Sequence, residues 1–367
     1  MTVHEARQDA GPGSIGPSGG SESSPAASEG TAMGGAPTDI HTQLRRAVGM
    51  VLALAAGLSA VLALFVGLAV NSGPNGVRLA VAGPPAAIAQ ITDGISQEAG
   101  EDAFAVTVVA DESAARAALE QRDADGAIVV GPNGPTLLTA SAGSPAISQA
   151  LTAAAASLGG QAPVGAPVQD VVALPATDPH GVGFASGSFP MIVAGLALGV
   201  TVGFGLRNRW VALGAVVGGA MVIAVSFAGI LSWLGVTTGS YWDVASAICL
   251  SVVTSALVVA GLVRVLGPVG AGLAALLLVI VGNPLSGIAS SPYLLPAPWG
   301  AVGQWLPTGA GGTLLRTIAY FPAASVSEPL LILLGWAVAG AAMMLLGRRM
   351  STGRAAVPTG RAAVPAH

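Results

Sequence analysis

Long apolar runs separated by short polar breaks fill most of this chain, and one stretch departs from that rhythm. Residues 48–70, 189–206, 210–236, 244–266, 268 to about 282 and 330–346 carry almost no charge. Five of these runs reach the roughly 17 apolar residues at which a helix can cross a bilayer's hydrocarbon core. The run from Pro268 is shorter and ends at Asn283-Pro284. Residues 210–236 hold a dozen Leu, Ile, Val or Phe side chains. At about −0.3 to −0.6 kcal/mol each they supply roughly −4 to −7 kcal/mol toward insertion, with no charge opposing them.

Between the first and second runs the period changes. Residues 77–82, 104–109, 126–130, 136–140 and 168–174 are short, β-branched or alternating stretches and predict strands. Residues 84–99, 113–121 and 144–157 predict helices, the second starting after Asp111 as its cap. Pro132-Asn133-Gly134 predicts the turn of a hairpin. The order β-α-β-α-β-β-α-β predicts an α/β domain over residues 71–187. The expected fold is therefore a polytopic α-helical membrane protein with about six transmembrane helices. The first, at 43–70, is separated by the α/β domain from a five-helix membrane domain at 188–347. Residues 1–42 and 348–367, rich in Gly, Ser, Pro and Ala, predict disordered tails; the second repeats Gly-Arg-Ala-Ala-Val-Pro.

Composition agrees. The 367 residues are 53% hydrophobic and 9% charged, with a mean hydropathy of +0.73. A soluble domain carries about 25% charge. All 14 basic residues are Arg. A phosphate-binding P-loop needs a Lys, so this chain does not bind ATP in that way. Gly11, Gly13 and Gly16 spell a dinucleotide fingerprint, but without the flanking strand and helix it requires. Cys249, alone in an apolar run, reads as a small core residue. The histidines (His4, His41, His180, His367) have no metal-ligand spacing. No serine sits in G-x-S-x-G, and Asp123 and Asp125 read as a solvated turn. The apolar runs contain no Asp, Glu or His, which disfavours proton- or sodium-coupled transport. Residues 71–186 hold eleven acidic side chains against Arg78, Arg116 and Arg122, a balance that excludes nucleic acid as a natural partner. No catalytic constellation, metal site or cofactor site is visible, so an enzyme is not expected.

Arginine collects at cytoplasmic ends of membrane helices. Arg45 and Arg46 place the N-terminus inside, and the acidic α/β domain then lies outside. Arg207 and Arg209, Arg264, and the group Arg348, Arg349, Arg354 and Arg361 all fall inside on the same alternation. The expectation is a multi-pass protein of the cell membrane with both termini cytoplasmic. Arg316 and the arginines of the α/β domain break the pattern.

Residues 283–328 are apolar but interrupted by Pro284, Pro292, Pro296, Pro298, Pro307 and Pro322, which forbid one straight span. Trp299, Trp305, Tyr293 and Tyr320 suit a membrane interface. Two half-helices dipping into the outer leaflet fit this pattern; so does an external loop with an apolar face. Ser325 to Glu328 has capping-box form, with Pro329 following. Gly195, Gly199 and Gly203, then Gly214 and Gly218, then Gly49, Ala53 and Gly57, present small side chains every four residues. Such faces serve close helix packing or a dimer interface.

Five further details lie in order. An Arg-bearing stretch at 42–46 precedes the first span, and Asp125-Gly126-Ala127-Ile128-Val129-Val130 forms a strand. Leu174-Pro175 and Asp178-Pro179 lead into the second span. Asn283-Pro284-Leu285-Ser286-Gly287 and Trp305-Leu306-Pro307 stand before the last. Together with one span, a domain, then five spans, they give residues 42–347 a layout that resembles the permease subunits of type-2 ABC exporters and the related phage-infection-protein type membrane proteins of bacteria. The resemblance implies a homodimer, or a heterodimer with a sister permease, in membrane lipid. A separate cytoplasmic ATPase would consume the ATP, and the cargo would be a lipid, drug, polymer or peptide. It also implies that the segment at 283–328, including Asn283, Pro284, Trp305 and Pro307, is re-entrant. In the family an element between the second and third spans couples to the ATPase. Here that link is only Arg207-Asn208-Arg209, so contact would fall to Arg207, Arg209, Arg264, Arg45 and Arg46. The short link equally suits a non-transporting envelope protein whose outer domain binds a secretion or cell-wall partner.

Overall fold

A computed structural model describes residues 40–158 and 167–347. Both predicted tails beyond these limits, with the fingerprint glycines and the C-terminal repeat, lie outside the described residues. The chain divides into two units, residues 1–56 and 57–367. Within the first unit, the described residues 40–56 form the opening turns of helix α1 (Ile40–Val70). Leu44, Val48, Met50 and Leu54 are exposed there, an apolar surface of the kind a membrane-crossing helix presents. The helix starts eight residues before the apolar run, so Arg45 and Arg46 are part of it.

After α1 comes a five-stranded sheet: β1 (Val77–Ala82), β2 (Phe104–Val108), β3 (Gly126–Gly131), β4 (Gly134–Thr139) and β5 (Val168–Asp170). Its spatial order is β2-β1-β3-β4-β5. β1 runs parallel to β2 and β3, β3 antiparallel to β4, and β4 parallel to β5. Helices α2 (Pro85–Ala99), α3 (Glu112–Glu120) and α4 (Pro145–Leu158) connect the strands. Alternation decides the faces. Val77, Leu79 and Val81 pack with Ile88, Ile91 and Ile95 of α2 and Ile147 and Leu151 of α4. Ala80 and Ala127 face the other way, toward Ala115 and Leu119 of α3. The Asp111 carboxylate accepts the Ala114 amide at 2.9 Å and caps α3, as the sequence predicts. β5 ends at Asp170, earlier than the expected 174; the Asp170 carboxylate accepts the Ser141 amide at 3.0 Å, and main-chain bonds from Val171 to Thr139 and from Ala142 to Val172 carry the chain on beside β4.

The remaining helices are α5 (Val182–Gly205), α6 (Arg209–Trp233), α7 (Tyr241–Leu266), α8 (Pro268–Ala275), a wide π-helical turn (Leu276–Val281), α9 (Gly282–Leu285), α10 (Trp299–Trp305), α11 (Pro307–Tyr320) and α12 (Ser327–Leu346). Among the described residues six helical spans are long and apolar enough to cross a membrane: α1, α5, α6, α7, the continuous stretch Pro268–Leu285, and α12. The chain is a polytopic helical membrane protein. α5 starts earlier than its apolar run. Asp178, buried, accepts the amides of Gly183 and Phe184 at 3.0 Å each and so fixes the helix N-terminus. Pro190 falls inside the helix.

α7 is the axis of the bundle. Of its most apolar window 72% is buried, and α5, α6, α11 and α12 pack around it. Backbones come that close only where side chains are absent. A Cβ on Gly195 would stand 2.7 Å from the Ser255 Cβ, and one on Gly199 would stand 2.5 Å from the Val259 Cβ. Gly203 meets Val263 in the same way. Gly261 of α7 and Gly340 of α12 form a second such contact. The trio at 195, 199 and 203 is thus occupied within the chain. Gly214 and Gly218 are different: nothing lies within 4 Å of either. The packing stripe of α6 is Ala212, Val216, Ala220, Ala224 and Ala228, two residues out of phase and so about 200° around the helix.

The segment from 283 to 328 is no loose loop. α11 is buried along most of its length and packs on α7 and α12. α10 and α11 join at Leu306-Pro307, where the Gln304 amide donates to the Ser286 carbonyl at 2.9 Å and accepts from the Thr313 hydroxyl at 2.6 Å. The expected capping box is not formed. α12 starts at Ser327, and the Ser325 hydroxyl accepts the Ser327 amide at 3.3 Å, one residue short of the Glu328 amide that a box needs.

Gly199→Leu should lower stability by about 1–3 kcal/mol through overpacking against α7. Gly218→Leu should stay within about 0.5 kcal/mol. Thermal unfolding in detergent, followed by tryptophan fluorescence, separates the two; equal losses would contradict the packing described.

Candidate functional site

α5 is about 36 Å long at 1.5 Å per residue, enough to cross the roughly 30 Å hydrocarbon core. Its two ends carry different chemistry. At its C-terminal end Arg207, Arg209 and Arg264 come together around a cavity of about 440 Å³, with Asn208, Trp210 and the last residues of α12 completing the wall. Among the described residues no acidic side chain lines it. Arg264 and Arg209 are held by backbone carbonyls. Arg264, buried, donates through Nη2 to the Leu206 carbonyl at 2.8 Å and through Nη1 to Met344 at 3.4 Å. Arg209 Nη1 donates to Leu345 at 3.3 Å. These carbonyls end α5 and α12, where a helix has no amide left to offer and carries a partial negative charge. Asn208 caps α6, its side-chain oxygen accepting the amides of Trp210 at 2.9 Å and Val211 at 3.3 Å. A three-residue link thus ends one helix and starts the next. Arg207 and Arg209 remain exposed. Arg45 and Arg46 lie on α1 in the first unit, both exposed.

At the N-terminal end of α5 the sheet and the helices share one apolar core. Leu119 and Ala127 belong to the same buried cluster as Phe184, Leu315 and Phe321. Three arginines cross this boundary. Arg316 of α11, 8% exposed, donates to the carbonyls of Ala142 (3.3 Å), Gly143 (2.8 Å) and Ile288 (2.6 Å). Its guanidinium stands 4.8 Å from the centre of the Phe184 ring, a cation–π arrangement. Arg122 reaches back from the turn after α3, donating to the Thr317 hydroxyl at 2.5 Å and lying over Phe321. Its backbone φ is +61°, in the left-handed position where glycine normally ends a helix. Leu119 and Ala118 carbonyls accept the amides of Arg122 and Asp123, completing that motif. Burial is the largest influence on the Arg122 guanidinium, and its pKa falls below the ordinary arginine value.

Arg78 pairs in two-pronged fashion with Asp125, Nε to Oδ2 at 3.0 Å and Nη2 to Oδ1 at 2.9 Å, and stacks on Tyr293. Asp125 is therefore an ion-pair partner, where the sequence suggests a solvated turn. Main-chain bonds from Gly73 to Leu294 and from Asn75 to Tyr293 fasten the same seam. A cavity of about 20 Å³ lies among Arg122, Asp125, Tyr293, Thr313 and Arg316, room for about one water.

Of the residues expected to be re-entrant, Asn283 and Pro284 sit in α9 at the end of the Pro268–Leu285 stretch. Trp305 closes α10, its carbonyl accepting the Trp336 indole N–H at 2.8 Å, and Pro307 opens α11, buried. By sequence alone Arg316 is an exception to a charge rule. The signal that finds it is the conflict itself: an arginine within an apolar, proline-broken stretch needs acceptors from its own chain. Among the described residues no three His, Cys, Asp or Glu side chains gather as a metal-binding group.

No protein-family model matches this sequence, and no curated protein and no solved structure matches it either.

Arg316→Met keeps the volume and removes the donors, leaving three carbonyls unpaired. Stability should fall by roughly 2–3 kcal/mol. Amide exchange should rise around residues 140–148 and 284–292, measured by hydrogen–deuterium exchange; unchanged exchange there would contradict a clamping role.

Proposed function

We propose that the chain is the permease subunit of an ABC-type exporter, working as a dimer with a separate cytoplasmic ATPase. The observation that carries this reading is the convergence of Arg207, Arg209 and Arg264 at one end of the bundle, opposite the sheet along α5. An apolar bundle without a P-loop needs an outside source of work, and a basic surface at the arginine end suits an acidic protein partner. On this reading the arginine end is cytoplasmic, both termini are inside, and the sheet stands outside the cell membrane. α10 and α11 dip into the outer leaflet, their backbone covered by α7 and α12 as lipid demands. The open α6 face with Gly214 and Gly218 is the surface left for a second permease copy or for membrane lipid.

A second reading has its own observation in favour. α5 ends at Gly205 and α6 begins at Arg209, so no helix protrudes between them to engage an ATPase. That geometry suits a non-transporting envelope protein whose outer sheet segment binds a secretion or cell-wall partner.

Pull-down of the tagged chain from its native cell in mild detergent, with mass spectrometry, decides between them. The exporter reading expects one ABC ATPase to co-purify, with enrichment falling at least about tenfold in Arg207→Glu/Arg209→Glu, since two charge reversals at such an interface cost several kcal/mol. Recovery of envelope proteins and no ATPase would favour the second reading and sink the first.

A further inference from the structure

The arginine-lined cavity has a chemistry that needs no protein partner. Three unit positive charges stand at one mouth. The C-termini of α5, α7 and α12 offset them by about half a charge each, and the N-terminus of α6 adds about half back, so a surplus of about two positive charges remains. At about 440 Å³ the cavity falls within the roughly 300–1,000 Å³ of small-molecule sites. The carbonyls of Leu345, Met344 and Leu206 hold the guanidiniums of Arg209 and Arg264 in place. A guanidinium carries five donors in a planar fork that matches phosphate oxygens in pairs. Arg207, exposed on the same wall, adds a third fork.

We propose that this cavity binds a phosphate group whose charge no cation on the same molecule offsets, and that residues 207 and 209 carry most of its selectivity. The phosphate belongs to an anionic lipid headgroup or is free in solution; the arginines recognise the net negative phosphate that both share. The rim favours a lipid. Trp210, Val211 and Leu346 are exposed beside it, Trp210 to 64%. An acyl chain attached to a bound headgroup would run onto that apolar surface, and an exposed indole suits the level of headgroups. Basic pockets between membrane helices hold anionic headgroups in this way. The inference does not depend on an ATPase partner: failure of co-purification leaves it standing, and loss of phosphate binding leaves the exporter reading standing.

The test uses the full chain, purified in non-ionic detergent and titrated separately with short-chain phosphatidylglycerol, short-chain phosphatidylcholine and inorganic phosphate, with binding read by native mass spectrometry and thermal shift. Phosphatidylglycerol should bind in preference to phosphatidylcholine. Affinity should fall about fivefold in Arg207→Gln and about thirtyfold in Arg207→Gln/Arg209→Gln, while Arg116→Gln, on the sheet segment, changes nothing. Arg207 has an exposed side chain, so its single variant stays informative if the double variant fails to fold. Inorganic phosphate that binds and displaces phosphatidylglycerol identifies the free anion as sufficient; inorganic phosphate that does neither identifies the headgroup. Equal binding of the two lipids with no binding of phosphate, or wild-type affinity in Arg207→Gln, would overturn the proposal.

Discussion

A helix enclosed by its neighbours can exist in a bundle this size only if those neighbours surrender side chains where they meet it. α7 imposes that constraint on everything around it. Gly195, Gly199 and Gly203 let α5 lie against Ser255, Val259 and Val263, and Gly340 lets α12 meet Gly261. α6 presents alanines at the same spacing. Between membrane helices there is no hydrophobic effect to drive association, since lipid tails are as apolar as leucine. What remains is van der Waals contact, which falls away over fractions of an ångström. Two hydroxyls on α7 find carbonyls within the bundle: Ser251 donates to Ala247 of its own helix at 2.8 Å and Thr254 to Leu333 of α12 at 3.3 Å.

The arginines follow from the same scarcity of polar partners. Few carboxylates lie near them, so they turn to carbonyls that no amide can reach. At one end of α5 these are the last carbonyls of helices, and the arginines gather there around an open cavity. At the other end they are the turn carbonyls at Ala142, Gly143 and Ile288, and Arg316 sews the sheet to α11. Arg122 accepts a left-handed backbone, a cost of about 1–2 kcal/mol, and its side chain lands on Thr317 and Phe321. The sheet is held to the bundle through a shared core and a seam of cations, so its position depends on α11 and through α11 on α7.

Much of this was legible in advance. The period of two in 77–82 and 104–109, against the unbroken apolar runs elsewhere, is enough to separate sheet from span, and Asp111 marks the start of α3. Other features were not, for identifiable reasons. Glycine spacing shows that a helix has a smooth stripe but not which way the stripe points, so Gly195 and Gly214 look alike in sequence and differ in space. Asp125 reads as a turn residue because its partner, Arg78, is 47 positions away. Ser325 and Glu328 have the spacing of a capping box, yet the helix start moved to Ser327. Arg207, Arg209 and Arg264 could be grouped by a sidedness rule, but only the fold shows that carbonyls ending α5 and α12 hold Arg209 and Arg264 at a cavity that Arg207 also lines.

The proposed reading puts the sheet and the arginine cavity, at opposite ends of α5, on opposite faces of the membrane. Cysteine accessibility tests it most directly. In a Cys249→Ala background, Ser113→Cys places a thiol on the exposed start of α3, and Gly205→Cys places one beside the arginine cavity, where a Cβ meets nothing within 4 Å. With a membrane-impermeant maleimide, the account predicts labelling of Ser113→Cys in intact cells and of Gly205→Cys only after permeabilisation. Labelling of both in intact cells, or of neither until permeabilisation, would put the two ends on one face and contradict it.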